Sequence, residues 1–345
     1  MRLLLIVLIC AGLLACARLA PPGPGPTEPR LDVLQPETGR FTTADGLELP
    51  LRLWAPNPHP PKAVLLALHG FNDYGHAWSD PAPAWAALGI AVYAYDQRGF
   101  GGAPARGLWP GVEVLTRDLR TAADLLRARH PGIPLYLLGE SMGGAVLLAA
   151  AAEAEPLPVD GLILAAPAVW ARDTQPWYQR TALWFGRTFF PWVTPSGAGF
   201  EIRPSDNREA LIALGRDPLV IKETRIDALA GLVDLMDAAL TAAPRVRLPL
   251  LFLYGANDEL VPKTPTLQAW RDLPGSDAQR LAYYPEGWHL LFRDLQGAVV
   301  TADVAAWIFD RGAPLPSGSD RDAERRLVAD LAEDPEEPAT GEAGQ

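Results

Sequence analysis

The chain of 345 residues has only two cysteines, Cys10 and Cys16, so everything beyond position 16 can form neither a disulfide nor a cysteine-ligated metal site. Basic residues are outnumbered, 30 Lys and Arg against 41 Asp and Glu, and they form no long run. A net charge of -11 without a basic patch leaves no footprint for nucleic acid. The N-terminal apolar run, residues 3–14, is shorter than the about 20 residues that a membrane-spanning helix needs. No internal repeat is found, which argues against a solenoid or a propeller. What is present, 49% hydrophobic and 21% charged residues, suits one large globular domain with a substantial core.

The two ends of the chain read differently from its middle. Met1-Arg2, the apolar run and the small residues around Cys16 form a targeting segment. Leu13-Leu14-Ala15-Cys16 resembles the bacterial lipoprotein signal, which implies cleavage before Cys16 and a lipid on that cysteine. Secretion after cleavage at Ala17 and an uncleaved anchor are the other readings. The expected place is the cell envelope of a bacterium, with the outer membrane favoured because Ala17 is not an aspartate; secreted or periplasmic is the alternative. Residues 17–30, rich in Pro and Gly, read as a tether behind the 1–16 signal. Residues 311–345 hold nine Asp and Glu against four Arg and no aromatic, which reads as a disordered, solubilising tail with at most a partial helix at 322–331.

Between these ends, residues 31–310 alternate short apolar β-rich runs with helical patterns, the mark of an α/β fold with a mostly parallel sheet covered on both faces. Strands are expected at 41–43, 47–54, 64–68, 90–95, 135–138, 162–165, 250–254 and 280–284, the first two joined through Asp45-Gly46 as a hairpin. Helices are expected at 111–130, 142–155 and 295–309. The interval of about 171–247 is too long for a simple crossover and holds eight aromatics at 177–200: Trp177, Tyr178, Trp184, Phe185, Phe189, Phe190, Trp192 and Phe200. An insertion there reads as a helical lid. Most of its aromatics are expected to form the lid's own core, with two or three, such as Trp184, Phe185 and Phe189, lining a substrate site.

Gly139-Glu140-Ser141-Met142-Gly143 lies between an apolar run and an Ala-rich helical stretch, and matches the G-x-S-x-G nucleophile elbow. With seven serines and 31 glycines in the chain, chance gives about 0.06 such motifs. A serine hydroxyl becomes a nucleophile only when a base takes its proton, so the elbow demands a histidine and a group to orient it. Of five histidines, His59 sits in a proline-rich loop, His130 at a helix end, and His69 and His76 after the strand at 64–68. His289 follows the last strand, as the order serine, acid, histidine requires. Asp258, three residues beyond Gly255 and 31 before His289, is the candidate acid, with Glu259 and Glu286 as weaker substitutes. Backbone N–H groups of Met142 and Phe71 are the candidates for holding the oxyanion, with His69 and Gly70 shaping the loop.

These residues, with Asp96-Gln97-Arg98-Gly99-Phe100-Gly101, Gly144 and Asp217-Pro218-Leu219, resemble the monoacylglycerol lipase and lysophospholipase branch of the α/β-hydrolases over about residues 42–309. The resemblance implies an eight-stranded sheet, a lipophilic cap, no cofactor, and hydrolysis of single-chain acyl esters. Two stretches depart from that family. Asn72-Asp73-Tyr74-Gly75-His76 stands where a Gly and a Glu-His pair are common, and Ala103 where a serine is common. Ser141 excludes the carboxylate nucleophile of epoxide hydrolases and dehalogenases. A general short-chain esterase or another acyl-transfer enzyme would keep the same triad. A membrane-tethered binding or scaffold protein would need no triad.

Overall fold

The computed structural model describes residues 19–35, 38–57, 60–195 and 202–333. The targeting segment with Cys16, the aromatic Phe200 and the last twelve residues of the chain lie outside that set.

Nine strands form one sheet: β1 (Arg30–Gln35), β2 (Thr38–Thr42), β3 (Glu48–Trp54), β4 (Ala63–Leu68), β5 (Ile90–Tyr95), β6 (Leu135–Glu140), β7 (Gly161–Ala165), β8 (Leu250–Gly255) and β9 (Gln279–Tyr284). They lie side by side in the order β1-β2-β3-β5-β4-β6-β7-β8-β9. The first three are antiparallel and β4 to β9 are parallel. Every residue of β4 to β8 is buried, which is why these segments are continuous apolar runs rather than alternating ones. Within a run, successive side chains still serve opposite faces. Val64, Leu66 and Leu68 enter one core, while Ala63, Leu65 and Ala67 enter the other.

Helices cover both faces. α1 (Pro81–Leu88) packs on one side through Ala82 and Trp85. On the opposite side lie α2 (Val112–Arg129) and α3 (Met142–Ala151). Between β7 and β8 the chain adds α4 (Trp177–Phe189), α5 (Arg208–Arg216) and α6 (Ile226–Ala242), and α6 packs against α3. α7 (Lys263–Asp272), α8 (Gly297–Phe309) and α9 (Ala323–Glu333) follow, with α8 joining α1 beneath the sheet.

The ends of the chain differ from the sequence reading. All eight expected strands form, and β1 adds a ninth by pairing with β2. The tether reading of 17–30 is corrected from Ala20 onward. Ala20 N–H donates to Trp109 O at 2.9 Å, Gly25 N–H to Asp45 O at 2.9 Å and Thr27 N–H to Ala44 O at 3.0 Å. Gly23 N–H donates to the Asp45 carboxylate at 2.9 Å. Backbone groups in a Pro/Gly segment have no ladder of their own, so a neighbouring hairpin that offers carbonyls captures them.

The disordered-tail reading is likewise corrected for residues 311–333. β9 is an edge strand, and the returning chain covers it: Tyr283 N–H donates to Ser319 O at 2.9 Å. α9 then docks with Ala323 and Leu327 in the core and Glu324 accepting from Trp270 Nε1 at 3.0 Å. Ala323, Leu327 and Leu331 recur every four residues, one face of a helix, while the charged residues face outward. Leu327 is 0% exposed. Leu327→Ala should therefore cost about 2–4 kcal/mol in urea unfolding and leave hydrolytic kcat unchanged.

Candidate active site

β6 ends at Glu140 and α3 begins at Met142, so Ser141 alone turns the chain from strand to helix. It does so at φ 52° and ψ −114°, a conformation that L-residues avoid. Crowding makes the flanking glycines obligatory. A Cβ on Gly143 would lie 2.3 Å from Leu68 O, and one on Gly139 would lie 2.3 Å from the Leu147 side chain. Hydrogen bonds hold the turn: Ser141 N–H donates to Ala165 O and Ala168 N–H to Ser141 O, both at 2.9 Å. Because Met142 is the first helical residue, its N–H is among those with no partner inside the helix.

The loop after β4 comes up against this turn, since a Cβ on Gly70 would sit 3.4 Å from Ser141 Cβ. Phe71 is the next residue of that loop after Gly70. His69, by contrast, is locked below. Its Nε2 accepts from Gln97 N–H at 2.9 Å, which leaves Nδ1–H to donate to Gly70 O at 2.8 Å. Burial lowers its pKa and keeps the ring neutral.

β8 and β9 deliver the other two groups at the same end of the sheet. His289 Nδ1 donates to Asp258 Oδ2 at 2.8 Å, and both residues are buried. The other oxygen of Asp258 accepts from Leu260 N–H at 2.8 Å and Val261 N–H at 2.9 Å, so the carboxylate cannot swing. Burial opposes the imidazolium, but the charges of Asp258, Glu140 and Asp294 outweigh it, and the His289 pKa is raised. The structure thus joins His289 to Asp258 in one pair. It brings Glu140, the residue before Ser141, within electrostatic reach of that pair.

Several site residues carried no readable signal in the sequence. Glu140 is buried, and that burial pushes its pKa up to about 7, against the pull of Arg293. Arg293 Nη2 donates to Asp73 at 2.6 Å, while its Nη1 is buried without a hydrogen-bond partner among the described residues. Asp294, raised to about 6 by burial, accepts from Trp288 N–H at 2.7 Å and from Ser205 Oγ at 2.6 Å. Burial and spatial convergence define this cluster, and neither leaves a mark in single-sequence spacing.

The aromatics of the insertion do not behave as expected. Trp184, Phe185 and Phe189 are 63, 51 and 49% exposed, and Trp177 is 74% exposed. Their ring contacts are with one another, as in Phe185 against Phe189 at 4.8 Å. Trp177 and Trp184 edge an open surface depression with Arg172 and Arg180. The expectation of an internal lid core is corrected for the described rings. α4 buries Gly186 against Ile226 of α6 and turns its rings outward.

The sequence model of the family described as serine aminopeptidase, S33, matches residues 59–296. The monoacylglycerol lipase of Mycolicibacterium smegmatis is 29% identical over 287 residues, covering 78% of this chain and 95% of that protein. The monoglyceride lipase of Mus musculus is 28% identical over 292 residues, covering 81% and 92%. Among solved structures, a soluble variant of monoglyceride lipase from Saccharomyces cerevisiae in complex with a substrate analog is similar at a TM-score of 0.67 and 20% identity, covering 85% of this chain and 99% of that one. The Paleococcus ferrophilus monoacylglycerol lipase is similar at 0.64 and 20%, covering 76% and 98%. At such identities the structures speak to the fold.

The Asp258–His289 pair makes a direct spectroscopic prediction. In an NMR titration, His289 should ionise above about 6.5 in the wild type, and its pKa should fall in Asp258→Asn, because the carboxylate that favours the cation is gone.

Proposed function

The chain belongs to the α/β-hydrolase family described as serine aminopeptidase, S33, and is an ester hydrolase; from that premise we propose that it cleaves carboxylic esters of single-chain lipids, of the monoacylglycerol or lysophospholipid type. The observation that carries the reading is the buried His289–Asp258 hydrogen bond, at 2.8 Å, at the sheet end where Ser141 sits on a strained turn.

In this reading the Ser141 hydroxyl attacks the ester carbonyl carbon while His289 Nε2 takes its proton. Asp258 holds the ring in the tautomer that leaves Nε2 free and stabilises the imidazolium. The carbonyl oxygen, now negative, is held by the N–H groups of Phe71 and Met142. Collapse of the tetrahedral adduct expels the alcohol, which takes the proton from His289, and leaves an acyl-enzyme. Water, deprotonated by the same histidine, then releases the acid and restores Ser141.

Relatives named monoacylglycerol or monoglyceride lipase, together with the outward aromatics of α4, support a lipid substrate. Acyl chain length is the test. Across p-nitrophenyl esters below their critical micelle concentrations, decanoate should exceed acetate by at least about tenfold in kcat/KM, equivalent to about 1.4 kcal/mol, and triacylglycerols should be poor substrates. Ser141→Ala should lower kcat by at least about a thousandfold and abolish fluorophosphonate labelling. A flat profile with labelling intact would make the enzyme a general short-chain esterase; a Ser141→Ala variant that keeps a tenth of its activity would remove the nucleophile assignment.

The same proposal places the enzyme on a membrane of the bacterial cell envelope, through a lipid on Cys16. Cys16 precedes Ala20 by four residues, at most about 14 Å of extended chain, and Ala20 is hydrogen-bonded to Trp109. β1 starts beside Thr42 and the 43–47 hairpin, at the sheet end that carries Ser141, so the chain enters the fold at the active-site end. α4 leaves the sheet at that end too. A lipid there would face the active site and the exposed rings towards the bilayer that holds the substrate. Palmitate label should be incorporated by cells expressing the full chain and vanish in Cys16→Ser; label that survives the substitution rules out this anchor.

A further inference from the structure

The loop after β4, which carries Phe71, and the loop after β9, which carries His289, rise from strands separated in the sheet by β6, β7 and β8. At about 4.8 Å per strand, the sheet itself sets them nearly 20 Å apart at their bases. Reaction at Ser141 requires both loops to converge on one carbonyl group within a few tenths of an ångström. The β4 and β9 strands do not touch, so something above the sheet must fix that spacing.

One stretch of the insertion contacts both loops. At its first end, Pro204 O accepts from Leu290 N–H at 2.9 Å, and Asp206 Oδ1 accepts from Leu295 N–H at 2.8 Å. Asn207 Nδ2 donates to Arg293 O at 2.9 Å, and the Arg203 guanidinium lies 4.7 Å over the Trp288 ring. Ser205, 0% exposed, donates to Asp294, whose second oxygen accepts from the backbone N–H of Trp288, directly before His289. At its second end, Tyr74 Oη donates to Asp217 at 2.7 Å, Ile221 N–H to Asn72 O at 2.9 Å, and Asn72 Nδ2 to Thr224 Oγ1 at 2.7 Å. Asn72 and Tyr74 lie within the loop's departure from the family pattern, and Asn72 holds φ 66° there. α5 joins the two ends and buries none of its own residues, so the end contacts are what seat it.

We infer that residues 203–225 are a brace that sets the distance between His289 and the oxyanion donors, with Asp294 and Tyr74 as the positioning residues through which it acts. Asp73 and Arg293 join the same two loops directly beneath it, at 2.6 Å. The brace rests on the roles proposed above for Ser141 and His289. Asp294 adds an electrostatic effect. It faces His289 together with Asp258 from the β8 loop and Glu140 from β6, and each of the three carboxylates raises the pKa of the ring. Its own surroundings are Ser205, the Trp288 N–H, Asp206 and His289.

The experiment uses the full chain, p-nitrophenyl butyrate and a fluorophosphonate probe. Ser205→Ala and Tyr74→Phe should each lower kcat about threefold to tenfold with KM within about twofold, because each removes one hydroxyl and loosens geometry rather than substrate binding. Asp294→Asn should lower kcat similarly and shift the acid limb of kcat/KM to lower pH, since one of the charges favouring the imidazolium is lost. Tyr74→Phe, acting at the oxyanion loop, should leave that limb in place. Thermal melting of each variant separates positioning from unfolding. Wild-type kcat in both hydroxyl variants, or losses confined to KM or melting temperature, would overturn the brace while wild-type labelling kept the Ser141 reading intact. A wild-type enzyme inert to the probe would remove that reading, and the brace with it.

Discussion

The catalytic end of this protein depends on one close approach, that of the first turn of α3 to the end of β4. Leu68 O occupies the space that a side chain at position 143 would need, and Gly143 is what lets the two backbones meet. Because they meet, Ser141 is forced to positive φ, at a cost of about 1–3 kcal/mol that the fully buried β4 and β6 strands offset. The same approach puts Gly70 against Ser141 and the first N–H of α3 beside the loop that carries Phe71. A chain that relaxed this contact would lose the strain, the exposure of the serine and the convergence of the donors together.

Around that contact the protein buries charge where an ordinary core would bury none. Asp258 and His289 share a hydrogen bond, and Asp73 and Arg293 form an ion pair. Glu140 has no ion pair among the described residues, and burial pushes its pKa up to about 7 against the pull of Arg293. The cost of burying these groups is met by mutual attraction across loops from β4, β6, β8 and β9, so the cluster exists only when all four strands are in place. It ties stability to activity at a single location.

The insertion contributes in two different ways. Its α4 rings face solvent and offer an apolar surface of Trp177, Trp184 and Phe185, while residues 203–225 grip the catalytic loops through buried and backbone partners. The N-terminal segment reaches the same end of the sheet, pinned to Trp109 and Asp45. The insertion and the N-terminal segment therefore meet at one end of the sheet.

The sequence by itself determined the parallel sheet and pointed to the residues proposed to carry the chemistry. Short, β-rich continuous apolar runs such as 64–68 and 250–254 read as strands buried on both faces, and a serine between two glycines at a strand-to-helix junction reads as a nucleophile elbow. Chain order then singled out His289 and Asp258, because local spacing encodes the loops that carry them. Tertiary structure alone decided the rest. Residues 311–333 read as a solvated tail by charge, yet the open edge of β9 and a core-facing Leu327 order them. The rings of 177–192 read as a core by composition, yet α4 fully buries only Gly186, against Ile226 of α6, and its rings stay open to solvent. Ser205, Asp294, Glu140 and Arg293 became a cluster only when three distant segments met. Composition and periodicity report what a segment prefers; which neighbour it meets, and so whether a charge is solvated or buried, is fixed by the packing of the whole chain.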